Sequence, residues 1–190
     1  MRCLICGDWT FATFCKACLE SIKIVPRCRE MGDFKVYSFF TFSEIEYLLH
    51  TKYQVIGSKV YGILAKKASQ YLKNALEIPL NAYAVGIDDK VSASGYAHNA
   101  ILLYHFKKAG LQPLYQTLYA KNLVSYAGKN LKFRQQNPRE FYLKREICGK
   151  EIVLVDDIIT TGLTLEEAKG FLESKGAKVL NAFVLADARY

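Results

Sequence analysis

Two carboxylates and a hydroxyl-rich turn lie together in the stretch Val153-Leu154-Val155-Asp156-Asp157-Ile158-Ile159-Thr160-Thr161-Gly162-Leu163-Thr164. Asp156 and Asp157 suit the two hydroxyls of a ribose, or a Mg²⁺ beside it. Thr160, Thr161 and Thr164 add hydroxyl donors, and Gly162 lets the backbone approach a ligand closely. Backbone N–H groups near Thr161, Gly162 and Thr164 face a helix N-terminus, which favours a phosphate. A second group of reactive side chains opens the chain. Cys3-x-x-Cys6 and Cys15-x-x-Cys18 are separated by eight residues. Four soft thiolates in a tetrahedron select Zn²⁺. One such pair is ambiguous between metal and redox chemistry; two together point to metal. Four thiolates leave no open coordination position, so the zinc is expected to be structural.

The elements that must hold these groups can be traced along the chain. Lys150 to Val155 is a short apolar run rich in β-branched residues, as in a buried parallel strand. Thr164, followed by Glu166 and Glu167, is expected to cap a helix that runs to Lys175 and closes at Gly176. Lys178 to Leu185 forms a last strand. Upstream, Val36 to Phe42 and Ala82 to Ile87 have strand composition, and Leu111 to Tyr115 adds another. Ser43 with Glu46 reads as a capping box opening a helix toward Leu49, and Ser58 caps a longer one. Ser94-Gly95 opens a helix that passes Phe106 and stops at Gly110. Helix and strand alternate, so the fold is expected to be α/β, a parallel sheet flanked by helices with a small N-terminal zinc finger. Residues 1–30 form the finger and residues 31–190 the α/β domain. The finger is too short to build its own core, so metal supplies its folding energy. Trp9, Phe11 and Phe14 are expected to pack it onto the main domain. Cys28 and Cys148 read as small buried hydrophobes.

The chain has 190 residues, 51% of them hydrophobic, enough for one α/β domain with a real core. It lacks any run of about 18 apolar residues, which argues against membrane insertion. Its first residues lack the apolar region of a signal peptide, and the expected compartment is the cytoplasm. The net charge is +8, which suits a polyanionic partner. Much of the excess lies between Lys121 and Lys150, where eight cations face two acids. Tyr126, Phe133, Phe141 and Tyr142 interleave with them. Cations that follow phosphates and rings that stack on bases are what single-stranded DNA binding needs, so Lys129, Lys132, Arg134, Tyr126 and Phe133 are candidate DNA contacts. A basic lid closing over an active site accounts for the same pattern. Lys52, in a loop, either reaches toward a pyrophosphate or is solvated.

The acidic pair followed by Thr-Thr-Gly-x-Thr resembles the phosphoribosyl pyrophosphate (PRPP) motif of type I phosphoribosyltransferases. That resemblance implies a Mg²⁺-dependent site in which Asp156 and Asp157 hold the ribose hydroxyls. Ile158, Ile159, Thr160, Thr161, Gly162, Leu163 and Thr164 would cradle the 5-phosphate, and the loop Asp88-Asp89-Lys90 would meet the pyrophosphate.

Taken over nearly its full length, the chain resembles the ComF (competence protein F) family. The four-cysteine finger, Gly95-Tyr96-Ala97-His98-Asn99 and Arg134-Gln135-Gln136-Asn137 with Phe141 carry the likeness. The family implies natural transformation, with single-stranded DNA and the DNA-uptake machinery as partners. The chain departs from the family at Tyr83-Ala84-Val85-Gly86 and Ser94, near the pyrophosphate loop, which leaves catalytic turnover open. His98 falls near a family Gln, a position facing phosphate or DNA more than a general base. Two other roles stay open: a working phosphoribosyltransferase on a nitrogen nucleophile, and a regulator that senses PRPP or a nucleotide.

Overall fold

The computed structural model describes residues 1–75, 81–91, 93–122 and 139–190. In chain order the elements are α1 (Lys16–Ser21), β1 (Arg27–Met31), β2 (Phe34–Thr41), α2 (Phe42–Leu49), α3 (Gly57–Ala75), β3 (Tyr83–Gly86) and α4 (His98–Phe106). Then come β4 (Gln112–Pro113), β5 (Leu118–Ala120), β6 (Phe141–Leu143), β7 (Glu151–Ile159), α5 (Leu163–Ser174) and β8 (Lys178–Asp187). The main sheet has the order β1-β2-β8-β7-β3-β4. Every pairing in it is parallel except the edge hairpin β1–β2. β5 and β6 form a separate antiparallel pair.

The alternation of side chains along β7 decides the layers. Val153 and Val155 join a core made with α3 and α4, including Leu64, Leu103 and Phe106. Ile152 and Leu154 face the other way, onto Leu165, Ala168 and Leu172 of α5. Both faces of the strand are covered, which is why it reads as a continuous apolar run. β7 extends four residues past the expected end at Val155. Parallel pairing with β8 continues through Ile159 opposite Asp187, so the sheet carries Asp156 and Asp157 within a strand rather than in a loop.

Several helix starts also differ from expectation. α2 begins at Phe42 behind Thr41, with no side-chain cap from the Ser43–Glu46 pair. α3 begins at Gly57, and the Ser58 hydroxyl donates to Val55 O at 3.0 Å instead of capping. A Cβ at residue 57 would collide with Thr51 O and the Tyr96 hydroxyl, so close packing fixes this start. α4 starts at His98, not Ser94. α5 is capped by Gly162 at φ 93°, two residues before Thr164. A Cβ there would strike the Met31 thioether, and the left-handed backbone favours glycine on its own account.

The N-terminal segment docks through fewer rings than expected. Cys3, Phe14 and Ile22 enter the same core as Phe39 and Leu48. Val25 N–H donates to Phe39 O, and Lys67 Nζ donates to Ile22 O, both at 2.8 Å. Trp9 is 79% exposed and Phe11 fully so; neither packs the finger onto the domain. The guanidinium of Arg2 lies over the Trp9 ring instead. Cys28 and Cys148 are exposed, not the buried hydrophobes expected. Tyr126, Lys129, Lys132, Phe133 and Arg134 lie outside the described residues. No helix of the described residues is long and apolar enough to cross a membrane.

Candidate functional site

The turn after β7 is shaped from below by a buried arginine. Arg29 of β1 donates from both terminal nitrogens, to Thr160 O at 2.6 Å and to Thr161 O at 2.7 Å. Asp187 at the end of β8 lies 3.6 Å from the same guanidinium. All peptides among the described residues are trans, so the N–H groups of Thr161 and Gly162 run antiparallel to the pinned carbonyls, away from Arg29. They open on the side where α5 presents its N-terminus. Thr160 and Thr161 are exposed and Thr164 is half-buried. Asp156, Ile158, Thr160, Gly162 and Thr164 border one hollow there. N–H groups turned toward a helix N-terminus, with no carboxylate in the turn itself, suit a phosphate.

The two carboxylates diverge. Asp157 continues the Val153–Val155 side of the strand, and its Oδ2 accepts from Tyr61 OH at 2.8 Å and from Lys52 Nζ at 2.9 Å. Lys52 is therefore neither solvated nor free in a loop; its ion pair fixes Asp157. The Lys52 carbonyl in turn accepts from Ser94 Oγ at 2.9 Å and Tyr96 OH at 3.1 Å. Asp156 Oδ1 accepts the Asp157 N–H at 2.9 Å and Asn99 Nδ2 at 3.4 Å. Asn99 also donates to Ile87 O, which ties α4 to the loop after β3. Burial and the neighbouring Asp157 charge push the Asp156 carboxyl up to about 7. Asp157 is buried too, yet His98, Lys52 and Tyr61 outweigh the desolvation and hold it down at about 2. His98 stands edge-on to Tyr61 at 5.7 Å, and burial lowers its basicity.

Of the expected pyrophosphate loop, the side chains are engaged locally. Asp88 Oδ1 accepts the Ala120 N–H at 3.0 Å and faces Lys90 Nζ at 3.2 Å, with Arg139 3.7 Å from Oδ2. Asp89 is buried and accepts the Gln116 N–H at 2.9 Å. Lys90 Nζ donates to Ala120 O. These contacts tie the loop to β5.

Two clusters have donor sets that fit a metal. In the first, the sulfurs of Cys3, Cys6, Cys15 and Cys18 all lie within 4.8 Å of one another. Cys6 and Cys15 are 3.7 Å apart. Zn–S bonds of about 2.3 Å in a tetrahedron put sulfurs about 3.8 Å apart. The Cys15 N–H points at Cys3 Sγ and the Cys18 N–H at Cys15 Sγ. Burial opposes ionisation of Cys3, but the backbone donors outweigh it and bring its thiol down to about 6. Cys18 is pushed up, chiefly by the Cys15 sulfur beside it. In the second cluster His98, Asp156 and Asp157 present ligand atoms within 4.8 Å. Two carboxylates are hard oxygen donors of the kind Mg²⁺ takes.

Tyr61, Asn99 and Arg29 were not among the candidates drawn from the sequence. Tyr61 carried the one available signal, a phenol on the Val60–Leu64–Ala68 stripe of a helix, where a buried hydroxyl must find a partner. Nothing local to Arg29 or Lys52 announces a partner more than 100 residues away.

Residues 91–189 match the family model described as phosphoribosyl transferase domain. A 44-residue stretch is 48% identical to a protein named transcriptional regulator GfcR from Methanothrix thermoacetophila, covering 23% of this chain and 22% of that protein. A 66-residue stretch is 41% identical to a hypoxanthine-guanine phosphoribosyltransferase from Aquifex aeolicus, covering 35% and 37% of the two chains. A solved adenine phosphoribosyltransferase aligns over 90% of this chain and 89% of its own, with 15% identity and a TM-score of 0.46. The matched stretches span well under half the length of these two curated relatives.

Proposed function

Because the chain belongs to the phosphoribosyl transferase domain family, we propose that it binds PRPP with Mg²⁺ between the acidic pair and the turn after β7. The observation that carries this reading is the Arg29-pinned turn, with its N–H groups turned outward beside two carboxylates. The turn from Thr160 to Thr164 holds the 5-phosphate. Asp156, held by a backbone and an amide donor and not by a cation, takes a ribose hydroxyl; Asp157 is the anchor that keeps Lys52 beside it. Mg²⁺, held by the carboxylates and the ligand, would neutralise the pyrophosphate and ease its departure. The loop of residues 88–90 meets the pyrophosphate. The thiol cluster holds a structural Zn²⁺ that fixes the finger to the core.

At a finer level, the chain acts as a ComF-type protein of natural transformation, binding single-stranded DNA in the cytoplasm alongside the DNA-uptake machinery. The cationic stretch from Lys121 to Lys150 supports this. A second reading, a regulator that senses PRPP or a nucleotide, is favoured by the match to the protein named transcriptional regulator GfcR. Turnover as a phosphoribosyltransferase is the third.

One assay series separates them. Pyrophosphate release from PRPP is measured with and without nucleobases and single-stranded DNA. Base-dependent release marks the enzyme. Without turnover, DNA binding whose log K falls by about 0.7 per contacted phosphate with log[salt] marks the ComF-type reading. Changing Lys129, Lys132 and Arg134 to Glu should flatten that slope, and the Tyr126→Ala or Phe133→Ala change should weaken binding by about 1–3 kcal/mol. Salt-independent binding would remove the DNA reading.

A further inference from the structure

A hollow of about 570 Å³ does not touch the PRPP motif. Phe141, Tyr142 and Leu143 of β6, the following Lys144, Arg145 and Glu146, Lys121, and Phe171 and Lys175 near the end of α5 line it. Phe171 lies eight residues along α5 from Leu163, a rise of about 12 Å. The phosphate turn and this hollow therefore sit toward opposite ends of the same helix.

Its chemistry is lopsided. Lys121, Lys144, Arg145 and Lys175 converge on it, and none has a carboxylate partner among the described residues. Some lysines elsewhere are answered: Lys35 by Glu30, Lys169 by Glu173 and Lys178 by Glu151. The acid at the rim, Glu146, turns Oε1 to the N–H groups of Ile147 and Cys148, at 3.0 and 2.8 Å. Like charges gathered around one concavity repel unless an anion enters. The wall between them is aromatic. Phe141, Tyr142 and Phe171 line it; Tyr142 is backed by the buried Tyr119, stacked with centroids 5.6 Å apart, and Lys175 lies over Phe171 at 5.7 Å. A hollow of this size accommodates a small organic ligand. Cations for phosphate oxygens beside ring faces for a planar group define one ligand chemistry.

We infer that this hollow is a second anion site that takes a nucleoside phosphate, with its phosphates on Lys144, Arg145 and Lys175 and its base against Tyr142 and Phe171. The site does not depend on the PRPP reading, because the two share no residue. The ligand is either a free nucleotide or one nucleotide of a single strand.

The test uses the full chain and three probes: a nucleoside triphosphate, inorganic tripolyphosphate and a six-nucleotide single strand. Each is titrated against wild type, the Lys144→Glu plus Lys175→Glu variant, Phe171→Leu and Asp156→Asn. The charge changes fall on exposed side chains, and Phe171→Leu keeps an apolar group of similar bulk. The nucleotide is expected to bind wild type and Asp156→Asn equally, and at least tenfold more weakly to the charge variant and to Phe171→Leu. A strand that binds more tightly than the mononucleotide, with the same sensitivities, identifies the strand as the source; equal binding identifies the free nucleotide. Tripolyphosphate binding as tightly as the nucleotide would overturn the assignment. So would nucleotide binding that Asp156→Asn abolishes and the charge variant leaves intact, or no binding by any probe.

Discussion

The finger and the acidic pair are both crowded anionic clusters, and they solve that crowding in opposite ways. The four thiols of the finger come from 16 consecutive residues, Cys3 to Cys18, and the groups that act on Cys3, Cys6 and Cys18 include no lysine or arginine. Only an added cation can let them ionise together. The acidic pair brings its own cation. Lys52 and Tyr61 hold Asp157 from distant elements, while Asp156 stays near neutrality with little more than backbone and amide donors. The first cluster is completed by metal and fixes structure. The second keeps one carboxylate anchored and one in reserve for a ligand.

This contrast can be broken at several points. The largest effect is expected at the finger. Purified protein should hold about one zinc per chain, and Cys15→Ser or chelation should lower the melting temperature by on the order of 10 °C. Melting unchanged by metal loss would mean that the cluster does not support the fold. Next, Lys52→Met leaves Asp157 as a buried charge without its cation. The expected cost is about 3 kcal/mol, toward the low end for an orphaned ion because Lys52 is 26% exposed. Tyr61→Phe removes one neutral donor and should cost about 1–3 kcal/mol by urea denaturation. Equal, negligible costs in both variants would show that Asp157 is not anchored as described.

A smaller effect tests the turn. Arg29→Lys keeps a charge near Asp187 but cannot reach both carbonyls with one fork. It should weaken phosphate or PRPP binding several-fold while leaving melting without ligand within a few degrees. Loss of both together would reduce Arg29 to a stability role.

The smallest effect is the pH dependence of melting without ligand. Asp157 sits below its ordinary value, so its stabilisation is present above about pH 4 and fades as pH falls toward 2. Asp156 sits above its ordinary value, so the folded state holds that proton more tightly. Stability should therefore fall as pH rises from about 4 through 7. Asp156→Asn should remove only the upper limb, and an upper limb that survives the change contradicts the split.

The same contrast explains what the sequence revealed. Both CxxC pairs and the strand–acid–acid–threonine run are contiguous, so their chemistry is legible without tertiary structure. So is Gly162, because a glycine between threonines before a helix marks a close turn. The parts that required folding are those that cross the sheet. Lys52 looked solvated because its partner is 105 residues away. Trp9 and Phe11 looked like docking rings because apolar character says nothing about which way a finger faces. The expected caps at Ser58 and Thr164 were displaced by packing that fixes Gly57 and Gly162.

The central claim is that the acidic pair and the turn form one ligand site with divided labour. The most direct measurement is the PRPP-induced rise in melting temperature with Mg²⁺, for wild type and Asp156→Asn, at pH 6 and pH 8. Wild type should gain about 2–4 kcal/mol at 100 to 1,000 times Kd, with tighter binding at pH 8, where Asp156 is ionised. Asp156→Asn should lose most of that gain and its dependence on this proton. A wild-type protein that PRPP does not stabilise at either pH, or an Asp156→Asn variant that gains as much as wild type, would contradict the account.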